Sequence, residues 1–402
     1  MRRRLAASPL ALLVVFVALH VWLGVINLYW APAGYSDVRG VYLRWMQQAF
    51  DTGSWVGIDV PWVYPVVALV PLALPYLAGA ALYPVSWLWL VTILDVVALG
   101  VLVGFRSPRR LRAGWWWTAF LFLLGPIAVG RLDSISVPIV IIAVALLTRR
   151  PRVAVALLTL ATWIKVWPVA VLGAVLIAAK GRWRTVVVAL VTSAVVVAVA
   201  LALGSGARVA SFVTAQTARG LQIEAPVSVF WLWSAALGGS GTRVYFDTGI
   251  LTYQVTGPGT DAASAAMNPL LLIAVVVVAL LGVRAVRRGA AASDILPALI
   301  VGLIACLVVF NKVGSPQYIA WFAAPLVLLV DSLARFRLPL ALILSAAVLT
   351  QFIYPYLYFA ILELNPAMLI VLSLRNLLVI ALLGWAVVAL VRQKGTGAPR
   401  YA

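Results

Sequence analysis

The sequence predicts an all-α, polytopic membrane protein, and three observations carry that prediction. Of its 402 residues 65% are hydrophobic and 10% are charged, and the mean hydropathy is +1.09. Apolar runs of about 18 residues or more, enough to cross a bilayer as a helix, recur along most of the chain. The basic residues, which give a formal net charge of +19, concentrate in short connectors between those runs, as the positive-inside rule requires. This composition excludes a soluble globule, and the charge then reports topology and membrane lipids, with no nucleic acid implied. The single cysteine, Cys306, lies inside an apolar run, so neither an intrachain disulfide nor a Cys-rich metal site is available. Residues 1–402 read as one integral membrane domain with about twelve helices.

At the N-terminus Arg2 to Arg4 precede an apolar run from Leu5 to Trp30. That run exceeds the roughly 7–15 residues of a signal-peptide core, and Pro32 spoils the Ala31-Pro32-Ala33 cleavage triplet, so a retained first helix with a cytoplasmic N-terminus is expected. Further apolar segments follow at 62–80, 84–105, 114–129, 133–148, 153–179, 185–203, 267–286, 294–311, 316–333, 338–358 and 367–391. Basic clusters at Arg106 to Arg112, Arg149 to Arg152, Lys180 to Arg184, Arg284 to Arg288, Arg335 to Arg337 and Arg392 to Arg400 mark the inner face of the plasma membrane.

In the C-terminal half this alternation puts Asn311 to Tyr318 outside. In the N-terminal half two readings stay open. Either 62–80 dips in without crossing while 153–179 breaks at Lys165 and Pro168 into two short helices, or every run is one span. Both place residues 31–61 and 204–266 outside as large loops. The first loop repeats Val41, Trp45 and Ala49 at helical spacing, which predicts a short interfacial helix over Asp37 to Phe50. The second holds a polar helix candidate at Ser211 to Arg219 and an apolar one at Val227 to Leu237.

Polar residues gather in the gaps. Asp37, in Gly34-Tyr-Ser-Asp-Val-Arg-Gly-Val-Tyr42, sits just past the first helix. There it can serve as a general base for a hydroxyl, as the N-cap of the next helix, or as both. Asp59 can bind a sugar hydroxyl, act as a second acid, or be a plain loop carboxylate. Asp95 reads as a paired structural charge or a protonated carboxyl, and His20 as satisfied packing. Arg131, Lys165, Arg219, Lys312 and Arg375 are isolated cations in or beside apolar segments, and such cations need anionic partners or must reach headgroups. With 11 acidic residues against 30 basic ones, a bound phosphate is a credible partner for some of them. No nucleotide-binding loop and no metal-ligand spacing occurs. An enzyme built this way needs a lipid as its energy-rich substrate and no cofactor.

Several motifs in order resemble the GT87 family of actinobacterial membrane glycosyltransferases. They are Asp37 with Tyr42, Trp62-Val-Tyr-Pro65, Trp163-Ile-Lys165-Val-Trp-Pro168, Lys312-Val-Gly-Ser-Pro-Gln-Tyr318-Ile-Ala-Trp321 and Arg375-Asn376. The resemblance implies a GT-C fold and transfer of a sugar, mannose first, from a polyprenyl-phosphate donor to a glycolipid acceptor at the outer membrane face. Arabinofuranosyl transfer is the alternative within the family, and a secondary transporter or flippase the alternative outside it. The resemblance also implies Asp37 as base, with Lys165, Lys312, Arg375 and Arg131 toward the donor phosphate. Asp59, Tyr64, Gln317, Tyr318, Arg219 and Glu224 then fall to the sugar and acceptor. Two motifs depart from the family: its Tyr-Pro-Pro is Tyr64-Pro65-Val66 here, and its Gly-Gln-x-Asn is Gly130-Arg131-Leu132-Asp133.

Overall fold

The computed structural model describes residues 8–104, 108–179, 181–215, 219–330 and 336–393. Arg2 to Arg4, Arg106, Lys180, Arg335 and the basic tail beyond Gln393, all assigned above to the inner face, lie outside the described residues.

Among the described residues, seven helical stretches are long and apolar enough to cross a membrane: Pro9–Trp30, Ala80–Val103, Arg182–Ala202, Thr260–Arg287, Ala292–Val309, Arg337–Tyr356 and Pro366–Val391. The chain is thus a multi-pass membrane protein. Several of the twelve expected spans are shorter helices, among them Val66–Tyr76, Asp133–Leu146, Pro151–Ile164, Pro168–Ala178 and Pro316–Leu329. At about 1.5 Å per residue, the helix from Val66 to Tyr76 is too short for a hydrocarbon core of about 30 Å. This agrees with the reading in which the segment dips in without crossing.

Proline sets many of these boundaries. It stands in the first turn of the helices opening at Pro9, Pro151, Pro168 and Pro366, where its missing N–H costs nothing. The expected break of 153–179 is present. Pro168 forbids helix through Ile164, four residues earlier, and the helix ends there, with Lys165 extended at φ −151°, ψ 138°.

Helix Ala292–Val309 is the most enclosed span, packed among Pro366–Val391, Thr260–Arg287 and Pro168–Ala178, whereas Arg182–Ala202 keeps most of its surface outward. Most of the buried apolar side chains form one continuous cluster, from Leu12 to Leu390. Within that hydrocarbon His20 and Asp95 join helix Pro9–Val25 to helix Tyr83–Val103. His20 Nε2 lies 2.8 Å from Asp95 Oδ2 and Nδ1 lies 2.8 Å from the Phe16 carbonyl, as expected of satisfied packing and a paired carboxylate.

The two large loops refine the sequence reading. Helix Leu43–Thr52 forms, stopped by Gly53 at φ 73°. The buried stripe through this region is Val38, Tyr42, Met46 and Ala49, so the expected stripe of Val41, Trp45 and Ala49 shares only its last member. In the second loop the two expected helices are Ser211–Ala215 and Val229–Ala236. An antiparallel hairpin follows, β1 (Arg243–Asp247) with β2 (Thr252–Thr256), which the all-α expectation did not include.

The buried His20–Asp95 pair gives a stability prediction. His20→Leu strands the carboxylate in hydrocarbon and is expected to cost about 3–5 kcal/mol, whereas His20→Leu with Asp95→Leu recovers most of that loss. Unfolding midpoints in detergent micelles measure both.

Candidate active site

After Trp30 the chain turns through Pro32–Tyr35 and winds as a wide helical turn over Asp37–Tyr42. Its carboxylate does not cap the helix. Asp37 Oδ2 forms an ion pair with Arg131 Nε at 3.1 Å, and the Asp37 side chain stays 30% exposed. Both terminal nitrogens of Arg131 are bound elsewhere. Nη1 reaches the Gly34 and Gly130 carbonyls at 2.7 and 2.9 Å, and Nη2 reaches Ser36 Oγ at 3.1 Å and Tyr354 Oη at 2.9 Å. Tyr354 in turn donates to the Ala33 carbonyl at 2.5 Å. Burial alone would lower the Arg131 pKa, but the facing Asp37 carboxylate and Tyr354 outweigh it and raise it. Backbones approach closely here: a Cβ on Gly130 would sit 2.1 Å from the Gly34 carbonyl oxygen.

A second cluster starts at the break between Ile164 and Pro168. Lys165 Nζ lies 2.5 Å from Asp133 Oδ2, at the N-terminus of helix Asp133–Leu146, where a carboxylate also meets the helix dipole favourably. Trp321 Nε1 donates to the other Asp133 oxygen at 2.6 Å. Lys165 lies 5.6 Å from the Tyr64 ring centroid and 5.8 Å from that of Tyr318. Trp321 stacks on Tyr318 at 4.3 Å and on Trp167 at 5.6 Å.

A third group joins two loops. Gln222 N donates to the Lys312 carbonyl at 3.0 Å, and a Cβ on Gly314 would meet Ala225 N at 2.1 Å, so only glycine lets the strands of chain pass. Glu224 is buried against Arg375, Oε2 to Nη2 at 3.1 Å. Burial pushes the Glu224 carboxyl up to about 7, with Arg375 opposing the shift. The Lys312 ammonium is pushed down by burial.

These elements enclose a cavity of about 720 Å³. Of the residues singled out in the sequence, Asp37, Tyr64, Lys165, Arg219, Lys312, Gln317 and Tyr318 line it. Its lining carries one carboxylate, Asp37, and four cations, Arg44, Lys165, Arg219 and Lys312, so it favours an anion. Arg219 Nε is buried with no hydrogen-bond partner among the described residues.

The remaining residues singled out in the sequence lie off the lining. Arg131 stands behind Asp37 with both terminal nitrogens already hydrogen-bonded. Arg375 and Glu224 pair through Arg375 Nη2, Arg375 Nε has no hydrogen-bond partner among the described residues, and neither residue lines the cavity. Asp59 accepts from its own turn, Trp55 N to Oδ2 at 2.8 Å, and does not line the cavity. Sequence reasoning passed over Asp133 and Trp321 as site residues, although both fall in motifs it had marked. It also passed over Arg44 and Trp45, which line the cavity because the buried stripe of their helix lies on a different face from the one expected.

No protein-family model matches the chain, and no curated protein matches it in sequence. Among solved structures it is similar to ArnT from Cupriavidus metallidurans bound to undecaprenyl phosphate. The TM-score is 0.46 and the identity 16%, over 96% of this chain and 78% of that one. The apo state of the same protein matches with a TM-score of 0.43 and 15% identity, over 94% and 76%.

The Arg131 clamp yields a prediction. Arg131→Lys keeps the charge but cannot fill the planar set of five contacts, so amide hydrogen exchange over residues 33–42 is expected to rise while helix Asp133–Leu146 stays protected. Unchanged protection at 33–42 would show that the loop is held by other contacts.

Proposed function

We propose that this protein is an inverting membrane glycosyltransferase of the GT-C type, moving a sugar from a polyprenyl-phosphate donor to a glycolipid acceptor at the outer face of the plasma membrane. The observation that carries the reading is the pairing of one partly exposed carboxylate, Asp37, with several cations on the wall of a single cavity. A lipid-phosphate sugar brings its own leaving group. The protein then needs a base for the acceptor hydroxyl and positive charge for the departing phosphate.

In this mechanism Asp37 takes the proton of the acceptor hydroxyl as its oxygen bonds to the anomeric carbon. The bond from that carbon to the phosphate oxygen breaks, and the electron pair leaves with the polyprenyl phosphate, toward Lys312, Arg219 and Lys165. Arg131 acts through Asp37 by fixing one carboxylate oxygen and leaving the other toward the cavity. Asp133 and Trp321 do the same for Lys165. Gln317, Tyr318 and Tyr64 face the sugar in this reading, and Arg375 with Glu224 holds the loop that carries Arg219. One displacement inverts the centre, so a β-linked mannosyl donor gives an α product. Mannose is the proposed sugar and arabinofuranose the alternative, which parallel assays with the two polyprenyl-linked donors separate.

Asp37→Asn preserves size and loses the base, and is expected to lower transfer by about 10²- to 10⁴-fold with the protein still inserted. Purified variant in liposomes with labelled polyprenyl-phosphate sugar measures this, and near-normal turnover would sink the assignment. Lys312→Ala removes a charge-assisted contact to phosphate and is expected to raise KM for the donor by about 10- to 100-fold. Transfer from a sugar nucleotide without any polyprenyl lipid, or transport of an unmodified solute, would refute the reading as a whole.

A further inference from the structure

Helices Asp133–Leu146, Pro151–Ile164 and Pro168–Ala178 bring one end each to the Asp37 cavity region, at Asp133, Lys165 and Trp167. Their opposite ends enclose a second cavity of about 170 Å³. The two lie roughly 20 Å apart, the length of a helix of this size. Val155, Val175, Leu296 and Leu328 contribute hydrocarbon walls, and Arg152 and Arg184 stand on the lining. Neither arginine has a carboxylate within salt-bridge distance among the described residues.

We propose that this cavity binds an anionic phospholipid of the adjoining leaflet, with hydrocarbon in the apolar throat and the phosphate against Arg152 and Arg184. Four observations converge on it. The part walled by Val155, Val175, Leu296 and Leu328 suits an apolar guest. Thr185 lines it at 9% exposure, and its hydroxyl has no hydrogen-bond partner among the described residues. Helices Pro151–Ile164 and Arg182–Ala202 both begin here with no side-chain cap and no acidic residue in the first turn, so unfilled N–H groups and the positive ends of two dipoles face the same rim. Trp183, 74% exposed beside Arg184, marks headgroup depth on the outward-facing helix Arg182–Ala202. Free phosphate would use the arginines and leave the throat empty. A zwitterionic lipid would fill the throat and set its own cation against the arginines. Only an anionic lipid satisfies both parts.

The site holds the far ends of helices that carry Asp133 and Lys165, so its occupant should stabilise the fold by mass action. The test uses the purified full chain in detergent, titrated with phosphatidylglycerol, phosphatidylcholine or inorganic phosphate. Thermal unfolding gives the midpoint and native mass spectrometry counts retained lipid. Phosphatidylglycerol is expected to raise the midpoint by a few degrees and to remain as one bound copy, with little effect from the other two. Arg152→Ala with Arg184→Ala should abolish the shift. Leu328→Trp, which fills the throat and keeps both arginines, should abolish it as well. An equal shift from phosphatidylcholine or from inorganic phosphate overturns the proposal, and so does a shift that survives in the double arginine variant. Should a variant fail to fold, the count of retained phosphatidylglycerol against phosphatidylcholine on the unmodified protein decides: preference supports the site and parity overturns it. Sugar transfer enters none of these readouts.

Discussion

A charge withdrawn from water must meet an opposite charge, and in this chain that requirement joins segments far apart in sequence. Among the described residues four ion pairs meet it: His20 with Asp95, Asp37 with Arg131, Asp133 with Lys165, and Glu224 with Arg375. Buried pairs of this kind are poor sources of net stability, since desolvation offsets most of the attraction. Their effect is to penalise every arrangement that separates the partners. Three of the four surround the Asp37 cavity, and they fix where its walls can stand. Arg131 does this most completely, because its planar guanidinium binds the backbone at Gly34 and Gly130 and side chains at Ser36, Asp37 and Tyr354 together.

The cavity also depends on non-helical backbone between the apolar helices. Such backbone is tolerated where it is enclosed by protein or lines a polar space. Proline supplies the interruptions, at Pro168 and Pro316, and glycine supplies the close approaches, at Gly130 and Gly314. The freed polar groups then turn inward. Lys165 is one product: an extended residue between two helices, its ammonium held between a carboxylate and two aromatic rings. The aromatic stack of Trp167, Trp321 and Tyr318 fills the space beside it and leaves that ammonium little room to move.

The same helices carry the polar cavity at one end and the arginine-rimmed apolar one at the other. Both Asp133–Leu146 and Pro151–Ile164 present a positive dipole end at the N-terminus: Asp133 answers it in the first, while the second has Arg152 in its first turn and no acidic residue there. A short helix with both ends in use is a rigid spacer, so occupancy at one end bears on the stability of the elements that shape the other.

By itself the sequence determined the membrane class, the first helix, the two large loops and the set of isolated polar residues from which the cavity is drawn, and it offered the break at Lys165 as one of two readings. Each of these rests on a local term: apolar run length, the missing proline N–H, or the cost of a charge in hydrocarbon. Only the tertiary structure decided which charges meet. Arg131, Lys165, Lys312 and Arg375 look alike in sequence as lone cations. Yet Arg131 meets Tyr354 across 223 residues and Arg375 meets Glu224 across 151, so both are held away from the cavity wall that Lys165 and Lys312 line. The facing of helix Leu43–Thr52 and the hairpin of β1 and β2 were likewise settled by long-range packing. Helical periodicity gives a set of candidate faces, and the neighbour that buries one of them lies elsewhere in the chain.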